Sequence, residues 1–264
     1  MLRAFIPDSE VHMGGHPAGW MGPGPRWLGV VLIVAAVAVG AASAAEVTGE
    51  ARVGFYSRYF WRGQLLSEGV VLQPEASVDV SGWYAGVWAN LEPASGDTNE
   101  IDFMFGRAWA WRGLQLEAGY IIYWIANYSS TQEVFVSVGR DGWVSPKVTV
   151  YYDFDEGDGA FVQGTLERVW PLSHGVELAT GANVGFNIQH KVMGPGADAE
   201  AFTQFYNLEL YSALSVPLNE RFSLGGQIGY SIPLTEVSKA ALRGINWDGE
   251  ADVLWGGVTL TCSF

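Results

Sequence analysis

Beyond residue 45 the chain alternates. Apolar and polar side chains take turns with a period of two over segments of about ten residues, each bounded by turn residues, which is the pattern of half-buried β-strands. In one segment Val176, Leu178, Thr180, Ala182, Val184, Phe186 and Ile188 share a face, opposite Glu177, Ala179, Gly181, Asn183, Gly185 and Asn187. In another the apolar face is Tyr206, Leu208, Leu210, Leu214 and Val216, opposite Asn207, Glu209, Tyr211, Ala213 and Ser215. The final segment sets Leu254, Gly256, Val258, Leu260, Cys262 and Phe264 against Trp255, Gly257, Thr259, Thr261 and Ser263. Twelve strands are predicted, over 47–61, 70–81, 83–91, 99–111, 114–124, 131–140, 144–154, 160–170, 175–188, 203–217, 221–232 and 252–264. The fold class is therefore all-β.

The connections decide which all-β fold. Ser81-Gly82, Arg112-Gly113, Asp141-Gly142, Ser173-His174-Gly175 and Asn219-Glu220 read as tight hairpin turns. Between them come longer polar loops over 62–69, 92–98, 126–130, 155–159, 189–202 and 233–251. Short turns at one end and long loops at the other are the signature of a transmembrane barrel of the outer-membrane type, and a β-sandwich has no reason to segregate them. An even strand number lets both termini lie on one side. Aromatic residues near strand ends (Tyr59, Trp61, Trp83, Trp109, Trp111, Trp124, Tyr128 and Trp143) read as interfacial girdles. In hydrocarbon every sheet edge must be paired, so the first strand is expected to zip to the twelfth. The prediction is a 12-stranded antiparallel barrel over residues 45–264.

Residues 1–44 stand apart. Trp27–Ala45 is an uncharged apolar run preceded by Arg26. It is long enough for a membrane-spanning helix. A basic residue, a short apolar stretch and Ala42-Ser43-Ala44 match a secretory signal instead, cleaved after Ala44 on the Sec route. Met1–Trp20 does not resemble a signal's opening, so translation is expected to begin at Met21, with Met13 as the alternative.

Of the 264 residues, 49% are hydrophobic and 16% charged, which excludes a disordered chain. The single cysteine, Cys262, excludes a disulfide scaffold. A net charge of −14, which removal of residues 1–44 leaves unchanged, argues against nucleic acid as a partner. The partners expected are outer-membrane lipid and small solutes or ions.

With Val53, Phe55, Tyr59 and Trp61 facing lipid, strand one would point Glu50, Arg52, Tyr56, Arg58 and Arg62 inward. The same parity brings in Glu75, Asp79, Glu100, Asp102, Glu117, Glu133, Lys147, Asp153, Glu167, Glu177 and Glu209. The predicted lining is thus eleven carboxylates against four cations. Buried charges must be paired or solvated, so the lumen is either wet or braced by ion pairs centred on Arg52, Arg58, Arg62 and Lys147. Excess carboxylate predicts a mildly cation-preferring path. Arg107 breaks the alternation by sharing parity with Phe105 and Trp109, and a register-shifting bulge is expected there, because an arginine at the bilayer midplane costs ~2–4 kcal/mol.

Catalytic and metal signals are sparse. His174 and His190 are the histidines after residue 45, and neither lies in a ligand spacing, so no metal, no cofactor and no enzyme are predicted. The acidic group Asp153, Asp155, Glu156 and Asp158 could offer oxygens to Ca²⁺, but it lacks the bidentate Glu that closes a calcium loop.

The segment Gly54-Phe-Tyr-Ser-Arg-Tyr-Phe-Trp-Arg-Gly63, followed by Ser67 and Gln73-Pro74, resembles the opening of the TorF family of porins. Gly82–Asn90 and Glu117–Trp124 are similar to a later hairpin and strand of that family. Arg58 stands where the family has Asp, and the Pro/Gln order differs. The resemblance, mainly over residues 50–125, implies an outer-membrane barrel and a channel. The alternative reading is a non-conducting structural or adhesion barrel acting through its long loops.

Overall fold

The computed structural model describes residues 47–94, 96–126, 129–194 and 201–264. The expected signal segment and start site lie outside the described residues, as does Tyr128. The elements in chain order are β1 (Val47–Tyr56), β2 (Phe60–Trp61), β3 (Gln64–Leu65), β4 (Val71–Val80), β5 (Trp83–Glu92), β6 (Asp97–Trp111), β7 (Leu114–Ile125), β8 (Thr131–Gly139), β9 (Ser145–Asp153), β10 (Gly159–Pro171), β11 (Glu177–Ile188), β12 (Thr203–Pro217), β13 (Phe222–Pro233), α1 (Glu236–Ile245) and β14 (Val253–Ser263). Twelve of the strands close into one antiparallel barrel in sequence order, with β1 zipped to both β4 and β14. The remaining two, β2 and β3, form a separate small hairpin. Among the described residues no helix is long and apolar enough to cross a membrane.

Alternation dictates the wall. Phe55, Phe105, Val136, Leu166, Ile228 and Leu254 project outward and stay exposed, a face that only hydrocarbon would cover. The short turns meet the strand twist: Ser81 and Gly82 have φ of 55° and 85°, Arg112 and Gly113 of 51° and 79°, the paired positive angles of a type I′ hairpin. At that end Arg107 lies 5.0 Å over Trp83, Arg112 4.9 Å over Trp111 and Arg168 4.0 Å over Trp143. Flat rings carrying cationic tips suit the border between oil and water.

Three expectations need correction. Arg107 sits in an unbroken ladder, opposite Trp83 and Ala118, so no bulge removes it from the outer face. It is tolerated because Trp83 opens β5 at the short-turn end, away from the midplane. Tyr206 does not face lipid. The β11–β12 register slips so that Gly185 faces both Tyr206 and Asn207, and both turn inward, 0% and 3% exposed. Strand one ends at Tyr56 rather than Trp61. The chain then folds inward, burying Tyr59 against Leu66, Val71 and Ile245 and packing Trp61 against the same cluster.

The loop over 233–251, one of the longer polar connections, contains α1. Thr235 caps it, its hydroxyl accepting from the Ser238 N–H at 3.1 Å while the Thr235 N–H donates to Ser238 Oγ at 3.0 Å. The helix buries Ala241, Leu242 and Ile245 in the barrel mouth. Covering a leucine of that kind contributes roughly 1.5–3 kcal/mol.

Candidate functional site

The barrel interior divides into two levels. Toward the short turns the lining is polar and partly solvated. Arg52 pairs with Glu75, their side chains 41% and 21% exposed. Tyr84 donates to Glu117 at 2.5 Å, and Tyr211 to Glu167 at 2.7 Å. Between the levels Glu209, itself buried, accepts from Asn183 at 2.8 Å and from the Trp255 indole at 3.1 Å. Asp79 accepts from the Gly82 N–H at 3.0 Å and so caps a turn. Lys147 stands opposite Gly139 and Thr165, and Glu177 opposite Pro171 and Ser215, both exposed at the barrel end.

Toward the long loops the interior is packed shut. The chain leaving β1 enters the barrel as the hairpin β2–β3, turned by Arg62 at φ 46° and Gly63 at φ 90°. Gly63 allows a close approach as well, since a Cβ there would meet the Asn207 side chain at 3.0 Å. The hairpin is held from three sides. Gln64 donates to the Val192 carbonyl at 3.1 Å, the Leu65 N–H to Asn246 Oδ1 at 2.9 Å, and the Tyr59 N–H to Ser67 Oγ at 2.8 Å.

Its tip carries the strongest contact. Arg62 bonds both oxygens of Glu133, at 2.7 and 2.8 Å, with side chains only 7% and 1% exposed. The guanidinium lies 3.9 Å over the Tyr151 ring and 4.5 Å over Trp61. Burial works against its charge, yet the carboxylate of Glu133 and the neighbouring Tyr123 outweigh it and hold Arg62 above its ordinary pKa. Glu133 also accepts from the Tyr123 hydroxyl at 2.8 Å. His190 Nε2 lies 3.3 Å from Glu133 Oε1 and 3.9 Å from Asp153 Oδ2. Asp153 accepts from the Thr131 hydroxyl, at 2.7 Å on Oδ2.

The predicted lining residues thus separate. Arg52, Glu75, Asp79, Glu117, Lys147, Glu167, Glu177 and Glu209 lie on inward strand positions, most of them on the wetter level. Asp102 belongs to the packed level, 8% exposed and with one oxygen unpartnered. Arg62 sits at the tip of the hairpin. Arg58 is on no strand: it pairs with Asp248 at 2.7 Å among the long loops. Parity placed Glu133 and Asp153 inside. Sequence reasoning missed that His190, 57 residues from Glu133, joins them, because no spacing encodes a contact between a loop and a distant strand.

The closed strand order and outward apolar face settle the architecture. It is an outer-membrane barrel. Among solved structures, an outer membrane channel from Pseudomonas putida F1 matches with a TM-score of 0.50 at 9% identity, covering 84% of this chain and 97% of that one. The NanC porin matches with a TM-score of 0.47 at 11% identity, over 82% and 98% of the two chains. Outer membrane phospholipase A from Escherichia coli gives 0.46 at 9% identity, over 81% and 92%. At such identities the likeness to the Pseudomonas channel is one of fold alone. No protein-family model matches the chain. No curated protein matches it in sequence.

Proposed function

We propose that this barrel is an outer-membrane channel for small solutes or ions, mildly cation-preferring, and shut at its long-loop end by its own hairpin in the conformation described. One observation carries the reading: a partly solvated, ionisable lining fills the short-turn half and ends against a single inserted hairpin pinned by an ion pair. Glu75, Glu117 and Glu167 outnumber Arg52 and Lys147 along that path, which favours cations. Export by a Sec signal within residues 1–44 and kinship with the TorF porins belong to the same proposal. Tyr59, Trp61 and Arg62 of the shared motif would then serve to close the mouth, the role the resemblance left open.

Planar bilayers test this. The wild-type protein should conduct rarely, Arg62→Ala should conduct often, and reversal potentials in a KCl gradient should favour K⁺. Anion preference would overturn the selectivity. The packed upper half favours a second reading, a non-conducting structural or adhesion barrel, and a folded Arg62→Ala protein that never conducts would establish that one instead.

A further inference from the structure

We propose that Glu133, Asp153 and His190 form a binding site for one divalent first-row transition cation beneath the inserted hairpin. All three side chains are about 1% exposed, and one donor atom from each lies within 4.8 Å of the others. An imidazole nitrogen with two carboxylates suits zinc and its neighbours rather than Ca²⁺ or Mg²⁺, which take oxygen.

The spacing fits a metal. Bonds of ~2.0–2.1 Å in a tetrahedral shell set neighbouring donors about 3.4 Å apart. His190 Nε2 and Glu133 Oε1 are 3.3 Å apart, and Asp153 Oδ2 at 3.9 Å from the same nitrogen needs to close by only a few tenths of an ångström.

The two carboxylates are held from outside, as metal ligands are. Thr131 bonds Asp153, and Tyr123 and Arg62 bond Glu133, while Glu133 Oε1 also meets His190 Nε2 at 3.3 Å, the contact a metal would replace. The loop bearing His190 is drawn down by Lys191 N–H donating to the Gly157 carbonyl at 2.7 Å. Side chains at Gly157 or Gly159 would collide with His190, so glycine at both positions lets the loop reach the carboxylates.

Buried carboxylates crowd this level. Glu100, Asp102, Glu133 and Asp153 are each more than nine-tenths buried at this level, and among the described residues Arg62 is the one arginine or lysine that pairs with any of them. Asp102 leaves a carboxylate oxygen unpartnered two strands from Glu133. A metal would tie the loop over 189–194 to β8 and β9 and brace the floor on which the hairpin rests.

Equilibrium binding reads this without any conductance, so its outcome is separate from that of the channel proposal. The full chain is refolded from urea into detergent with Co²⁺ as a probe, freed of excess ion, and examined by visible absorption and elemental analysis. One Co²⁺ per chain is expected, with the intense bands of a four-coordinate site, displaced by Zn²⁺. His190→Ala and Asp153→Asn, each checked for folding by heat-modifiable gel mobility, should weaken binding by ~100-fold or more, beyond the roughly 10-fold expected for Thr131→Val. A folded wild-type protein that retains no metal would overturn the proposal. So would undiminished binding in folded His190→Ala, which would place the ion on surface carboxylates.

Discussion

The two halves of the barrel hold the same pair of side chains in different circumstances. Near the short turns Arg52 meets Glu75 with much of both groups still in water. Near the long loops Arg62 meets Glu133 with almost none. Both carboxylates project inward from strands of one sheet, and what separates them is filling. Hairpin β2–β3, helix α1 and the loop over 189–194 pack into one mouth and leave the other to water. Alternation decides which face of a strand is inside; whether the inside is dry depends on what else enters it.

Breaking the two ion pairs should therefore give unequal results. Arg62→Ala strands a buried carboxylate and should destabilise the folded barrel by ~3–5 kcal/mol in urea titrations. Arg52→Ala should cost ~1 kcal/mol or less, because solvent screens that pair. Equal losses would mean that the two levels do not differ in solvation.

Next in size is the apolar half of the closure. Leu242→Ala on α1 empties a fully buried position and should cost about 2–5 kcal/mol. Leu260→Ala on the outer wall leaves no cavity in the protein, and its smaller loss, followed by the same titration, measures how much of the effect is packing.

Two glycines sharpen the contrast further. Gly63→Ala and Gly113→Ala each place a side chain at positive φ. Gly113 has open space around it, so its cost should stay near ~1 kcal/mol. At Gly63 the added methyl also presses on Asn207, raising the cost to ~1–3 kcal/mol and, in the bilayer assay, loosening the hairpin.

The smallest effect lies outside the barrel. Lys191 bonds Asp158 at 2.7 Å and, by that hydrogen bond and its charge, holds the exposed carboxyl below the usual range. A depressed carboxyl stabilises above the unfolded pKa of ~3.9 and loses that contribution as pH falls through its folded value. NMR titration of Asp158 should show the lowered midpoint, and Lys191→Ala should return it to the ordinary value.

Much of this was legible beforehand. Strand number and antiparallel order follow from a two-residue period and the turn residues that interrupt it, and the barrel agrees. The errors share a cause. Tyr59 and Trp61 continue the alternation of β1 and so read as more strand, although the backbone leaves the sheet after Tyr56. Tyr206 reads as outward until one bulge opposite Gly185 reverses it. Helix α1 lies in a stretch that reads as a polar loop, although Ala241, Leu242 and Ile245 carry the spacing of one helical face.

What the chain alone determined is the wall: side chains that alternate must sort to two faces of a strand, and a paired sheet with an oily outer face must close. What only the tertiary structure decided is the plug. Arg62, Glu133, Asp153 and His190 come from four separate stretches of sequence. They meet because closing the barrel places β8 and β9 side by side and leaves room for a hairpin and a loop to descend onto them. Periodicity is a local property of a chain. Convergence inside a closed cylinder depends on register and on the space left within, and no single stretch of sequence carries either.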